Sequence, residues 1–163
     1  MRNIKFRGYS KEFKKWVFGD LIQDSEEFFI AKTKTISKVA GSSYDTHSGI
    51  GWDDANNYYD ISIVEKSSIG QYIGLKDKNG VEIYEGDLIE KSIPTSCYDF
   101  EKGPSYFEVV YNNFTASFGL IKLKNPVDRN YVLSINENST RYYKVIGNIY
   151  KDYDFYLLKT RKK

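Results

Sequence analysis

The single histidine, His47, stands in the run Asp45-Thr46-His47, with Asp53 and Asp54 a few residues on. An imidazole and three carboxylates form a donor set that could hold a divalent cation or supply a general base. The stretch around them, Gly41 to Asn57 (GSSYDTHSGIGWDDANN), is dominated by Gly, Ser, Asn and Asp. That is the composition of a long solvated loop, without the fixed ligand spacing of a metal motif, so no metal site is assigned. Cys97 is the one cysteine, and the flanking Pro94-Thr95-Ser96-Cys97-Tyr98-Asp99 brings no second thiol or histidine to activate it. The carboxylates of Gly51-Trp52-Asp53-Asp54 and of Gly86-Asp87 could pair as acid and base only if folding brings them together. The sequence also lacks a nucleophile elbow, a phosphate-binding loop and a dinucleotide fingerprint. This reading assigns no catalytic residue and no cofactor.

Binding chemistry has more material. Aromatic residues interleave with cations in Ile4-Lys5-Phe6-Arg7, in Phe118 to Lys124 (FGLIKLK) and in Tyr142-Tyr143-Lys144. A strand sends alternate residues to opposite faces, so Lys122 and Lys124 share one face and Ile121 and Leu123 the other. The plain expectation is an apolar face in the core and a charged face in water. The functional one is a platform where Phe118 and Tyr143 stack on bases while Lys122, Lys124 and Lys144 meet phosphate. For a small anionic ligand, the candidate contacts are Lys5, Arg7 and Arg141.

The elements that must position these residues read as strands. Short alternating runs rich in aromatic and β-branched residues are punctuated by Gly, Asn and Asp. They fall at Ile4 to Arg7, Trp16 to Ile22, Phe28 to Thr35, Asp60 to Val64, Gln71 to Gly74, Val81 to Lys91, Tyr106 to Tyr111, Ser117 to Lys124, Tyr131 to Ile135 and Tyr142 to Ile149. Asp152 to Lys159 reads as a terminal helix or a last strand. Lys76-Asp77-Lys78-Asn79-Gly80 is a turn signal between two strands. After it, Val81 and Ile83 change phase with Leu88 and Ile89 around Gly86, which predicts a bulge or bend at Gly86-Asp87. Ile93 to Ser105 and Asn136 to Thr140 read as loops. The expected fold is mainly β with little helix. Residues 1–68 form an N-terminal β region carrying the polar loop at 41–57, residues 69–158 a small SH3-like or OB-like barrel, and residues 159–163 a basic tail.

Composition limits partners and compartment. Hydrophobic residues make up 40%, and 15 Tyr and 10 Phe carry much of the buriable area, enough for a core without disulfides. The excess of 24 Lys+Arg over 22 Asp+Glu reverses sign once Lys159, Arg161, Lys162 and Lys163 are set aside, so the body lacks the basic field usual in nucleic-acid binders. One cysteine suits a reducing compartment. MRNIKFRGYSKEF lacks the apolar stretch of a secretion signal, and no segment approaches the ~20 apolar residues of a membrane span. The expectation is a cytoplasmic protein with no membrane partner.

Three stretches, MRNIKFRGYSKEFKKWVFGDL, QYIGLKDKNGVEIYEGDLI and YYKVIGNIYKD, resemble in order and spacing the anchor motifs of the YopX family, carried by phages and prophages of Gram-positive bacteria. The resemblance spans nearly the whole chain, and the middle motif is the most specific. It marks Ile4, Phe6 and Arg7; Tyr72, Gly74, Leu75, Asp77, Gly80, Ile83, Tyr84, Gly86 and Asp87; and Gly147, Asn148 and Ile149, residues of a structural kind. It implies a β-rich fold and homo-oligomers, and supplies no catalytic residue, cofactor or substrate. The Gly41 to Asn57 and Ile93 to Ser105 segments depart from the pattern and are where this member's own specificity is expected. The functional expectation is a non-catalytic phage accessory protein in the host-cell cytoplasm, a binding module for nucleic acid or a host protein. An oligomer sequestering a small anionic signalling ligand is the alternative, and a hydrolase built on His47 and a carboxylate cluster the third.

Overall fold

The structure, a computed structural model, describes residues 3–33, 59–92, 104–123, 132–152 and 154. The chain divides into two compact units, one on Lys5–Ile69 and one on Gly70–Lys163 with the first four residues. His47 and its neighbouring aspartates, Cys97, Lys124 and the basic tail lie outside the described residues. So do the 41–57 loop, residues 93–103 of the second loop and most of the Asp152 to Lys159 segment.

The first unit is an antiparallel meander of β1 (Phe6–Ser10), β2 (Lys15–Asp24), β3 (Glu27–Thr33) and β4 (Tyr59–Ile63). Two close approaches shape it. Gly19 leaves room for the Ala31 carbonyl where a Cβ would stand, and a Cβ on Gly8 would lie 2.7 Å from Val64 Cβ. The chain leaving β4 turns back on the sheet: the Val64 N–H donates to the Phe28 carbonyl (2.9 Å) and the Glu65 N–H to the Tyr9 carbonyl (3.0 Å). The Ser68 hydroxyl accepts from the Tyr9 N–H (2.7 Å) and donates to the Glu65 carbonyl (2.6 Å). This strap satisfies both main-chain groups of Tyr9, and a Lys11–Glu65 ion pair lies beside it. Among the described residues of this unit, Ile30, Ala31 and Val64 are the buried hydrophobic ones.

In the second unit β5 (Gly70–Lys76) and β6 (Glu82–Tyr84) form a hairpin. β7 (Asp87–Lys91), β8 (Ser105–Asn112), β9 (Ser117–Lys122), β10 (Leu133–Ser134) and β11 (Tyr143–Asn148) form an antiparallel sheet in the order β10-β9-β8-β7-β11. Ile73 and Ile83 of the hairpin close over Ile89, Phe107, Val109, Leu120 and Tyr143 of the sheet to make the core. Burying seven such side chains is the main source of this unit's stability.

The mainly-β fold is as the sequence predicts, but the barrel is corrected to an open sheet. β10 and β11 end the order with no closing pair among the described residues. The single strand expected over Val81 to Lys91 breaks where the phase change placed the bend. Gly86 takes φ 77°, donates to the Val109 carbonyl (2.8 Å) and accepts from the Ile149 N–H (2.9 Å). Asn136 to Thr140, read as a loop, contains a short helix α1 (Glu137–Thr140). A reciprocal cap holds it: the Asn136 side chain accepts from the Ser139 N–H, and the Ser139 hydroxyl from the Asn136 N–H.

Candidate functional site

Within the second unit, Phe118, Lys122, Tyr143 and Lys144, the described residues of the expected stacking platform, do not share one surface. Arg7 on β1 is buried, its guanidinium 4.9 Å from the Trp16 ring centroid, while Lys5, just before β1, is half-buried. Arg141 is exposed and stacks on its own neighbour Tyr142 at 4.8 Å. Lys5 and Arg7 belong to the first unit and Arg141 to the second. Tyr143 is a core residue, with the Lys91 amine 5.9 Å from its ring, and Lys144 beside it points to water. Lys122 is exposed as expected, but β9 has the opposite phase from the one alternation suggested. The pairs Tyr111↔Phe118, Val109↔Leu120 and Phe107↔Lys122 put Phe118, Leu120 and Lys122 on the core face. Two strands separate Lys122 on β9 from Lys144 on β11, a spread of about 14 Å at ordinary strand spacing.

The motif residues act as fasteners. Asp77 is buried at the turn between β5 and β6. Its Oδ1 accepts the N–H groups of Asn79 (2.7 Å) and Val81 (3.0 Å), and its Oδ2 the N–H of Val145 on β11 (2.9 Å). One carboxylate therefore ties the hairpin turn to an edge strand 68 residues away. Asp87 Oδ2 accepts the Tyr84 N–H (2.8 Å) across the Gly86 bend. The Tyr84 hydroxyl donates to Glu82 (2.8 Å), and its ring lies 5.5 Å from Tyr72. Ile83 is in the core, and Gly74 and Gly80 take positive φ at open positions. β11 bulges between Val145 and Gly147, where a side chain would meet the Asp152 carboxylate. Asn148 accepts from the Lys151 N–H (3.1 Å) at the start of the helical turn over 149–152.

One of two concavities among the described residues that the structure shows lies wholly in the second unit. It is a groove of about 590 Å³ walled by Ile73, Leu75, Tyr111, Phe118 and Ile135, with Glu85 as its carboxyl. Tyr111 and Phe118 meet edge to face at 5.4 Å and 72°. Burial pushes the Glu85 carboxyl above its ordinary range, although main-chain hydrogen bonds at Gln71 and Tyr111 pull the other way. Beside the groove the β8–β9 hairpin carries Phe114 at its tip, fully solvent-exposed, and Tyr111 is 44% exposed. An Asx turn, from the Phe114 N–H to Asn112 Oδ1 (2.9 Å), holds the tip. A second cavity, about 700 Å³, lies in the first unit beside Phe13, Trp16 and Phe18, where Lys15, Lys32 and Asp60 give it charge of both signs. Sequence reasoning did not single out Glu85 or Phe114. The available signal for Glu85 was a carboxylate at the predicted bend, and for Phe114 a large aromatic in the polar run Asn112-Asn113-Phe114-Thr115.

Among the described residues no group of three or more His, Cys, Asp or Glu is placed to hold a metal ion. No helix among them is long and apolar enough to cross a membrane. The family model described as YopX protein matches residues 5–154. The solved structure of protein EF1440 from Enterococcus faecalis is similar, with a TM-score of 0.50 and 21% sequence identity, over 95% of this chain and 99% of that one. This likeness concerns the fold alone. No curated protein matches the chain.

Proposed function

The chain belongs to the YopX family, and we propose that it is a non-catalytic phage accessory protein whose C-terminal groove takes an apolar segment of a host protein. The observation that carries this is the fully exposed Phe114 ring on a tightly held hairpin beside a groove walled by aliphatic and aromatic side chains. An aromatic held in water has no folding role there, and exposed apolar surface next to a concavity is a common mark of protein recognition. A nucleic-acid platform needs rings flanked by cations. The described residues lining this groove include no lysine or arginine, and the rings expected to stack on bases, Phe118 and Tyr143, pack on or in the core.

The test is selection from a random peptide library on the immobilised whole protein, then titration of the enriched peptides against it and against Phe114→Ser/Tyr111→Ser. Enrichment of apolar peptides is expected, with affinity falling at least about tenfold in the double variant, as for loss of an aromatic anchor. Far-UV circular dichroism checks that the variant is folded. The reading fails if no peptide is enriched, or if the protein instead binds oligothymidine with an affinity that collapses as salt is raised.

A further inference from the structure

The sheet edges differ in how they are closed. In the second unit β10 is two residues long, and the outer side of β11 is taken by the hairpin turn, where the Tyr143 carbonyl accepts from the Lys78 N–H (3.1 Å) and the Val145 N–H donates to Asp77 (2.9 Å). β4 ends the order of its sheet with neither protection. It runs for five residues in unbroken register with β3, and its sequence, Tyr59-Asp60-Ile61-Ser62-Ile63, carries no lysine or proline to discourage pairing. The Val64 N–H, donating to the Phe28 carbonyl (2.9 Å), sets the phase of the ladder. Counting back from it, Ser62 and Asp60 turn their main-chain groups toward β3, so Tyr59, Ile61 and Ile63 turn theirs outward. No described residue pairs with that outer side, and Ile63 at its end is 52% exposed.

We infer that β4 is a self-association edge, where two copies of the chain pair antiparallel about a two-fold axis at Ile61 and the meander of one continues into that of the other. In such a pair, residues with outward main-chain groups lie opposite one another. Ile61 meets Ile61 of the partner subunit, and Ile63 meets Tyr59 of the partner subunit. The three opposed pairs make about six main-chain hydrogen bonds, two each. The side chains select a second copy over an unrelated strand. Two β-branched isoleucines meet on the axis, and Asp60 comes opposite Ser62 of the partner subunit, an acceptor against a donor. A parallel pairing in register would instead set Asp60 beside Asp60 of the partner subunit, like charge against like. This association uses the first unit and is independent of the groove in the second.

Sedimentation equilibrium of the whole protein from about 1 µM to about 500 µM should show a monomer–dimer equilibrium, the range expected of a small interface. Because residue 61 faces its own copy, Ile61→Lys and Ile61→Glu each set like charges on the axis, and each alone should weaken dimerisation at least about fivefold. An equimolar mixture of the two variants should associate again, as a heterodimer. Far-UV circular dichroism checks that both are folded, and amide exchange on the wild-type protein needs no variant. The Ile61 and Ile63 N–H groups should exchange more slowly as concentration rises, while the Ser62 N–H, bonded to β3, stays protected throughout. A monomer across the whole range overturns the inference. So does a dimer that both charge variants leave intact, or Ile61 exchange that concentration does not change.

Discussion

Replacing Asp77 tests whether one carboxylate fastens the C-terminal unit. In Asp77→Ala the N–H groups of Asn79, Val81 and Val145 all lose their acceptor. Asn79 and Val81 are exposed, so water replaces much of what they lose, at about 0.5 kcal/mol each. Val145 is half-buried, and leaving its N–H unsatisfied costs about 1–3 kcal/mol. The expected loss is about 2–4 kcal/mol, a large part of the stability of a small domain. Asp77→Asn is informative because it is nearly isosteric: an amide keeps one acceptor oxygen and turns a donor toward the remaining N–H. It should still lose about 1–3 kcal/mol. Both tryptophans, Trp16 and Trp52, precede residue 70, so urea unfolding is better followed by far-UV circular dichroism than by tryptophan fluorescence. Amide exchange at Val145 should accelerate in both variants. A loss under about 1 kcal/mol in the alanine variant, with Val145 still protected, would refute the fastening role.

Gly8→Ala places a methyl 2.7 Å from Val64 Cβ and should destabilise the first unit by about 1–3 kcal/mol. Val64→Ala in the same chain should recover part of that, a coupling that a double-mutant cycle by tryptophan fluorescence reads directly. Leu120→Ala, at a fully buried position on β9 opposite Val109, should cost about 2–5 kcal/mol in urea unfolding, whereas Phe114→Ser should stay within about 0.5 kcal/mol of wild type. Because burial raises the Glu85 carboxyl, the folded state binds its proton more tightly than the unfolded chain does. The resulting stability is fully present below the ordinary value of 4.5 and is lost as pH rises through the raised value. Wild type and Glu85→Gln should therefore unfold alike in mild acid, with the variant the more stable at neutral pH. Parallel urea midpoints across that range would contradict this.

Local patterns carried most of the strand content into the sequence reading. Gly86 is an example: the hydrophobic phase slips around it, and the backbone there bends with positive φ. Features set by distant pairing were not legible. β9 carries apolar residues of both phases, Leu120 and Ile121, so alternation could not choose its core face, and only the register with β8 placed Leu120 inward. Tyr143 sits among cations in sequence yet faces the core, for the same reason. Barrel closure depended on whether β10 and β11 meet, which no local signal encodes. The helix at Glu137–Thr140 has no apolar periodicity to announce it, being held by the Asn136 and Ser139 side chains.

The arrangement also separates what holds the fold from what could vary its partner. Asp77 and Asp87, the motif carboxylates, both accept hydrogen bonds from main-chain N–H groups. Ile73, Leu75 and Glu85 of the groove come from the same QYIGLKDKNGVEIYEGDLI stretch, so whatever fixes that hairpin also fixes their backbone. Tyr111, Phe118 and Ile135 come from outside the three anchor motifs, as does the Phe114 tip. Tyr111 and Phe114 make large exposed surfaces and are absent from the core cluster, so substitution there changes shape and apolarity at little cost to folding. A scaffold built this way can keep the hairpin constant while the flanking walls are re-cut. Binding of apolar peptides should accordingly respond to Tyr111 and Phe114 while the unfolding midpoint changes little.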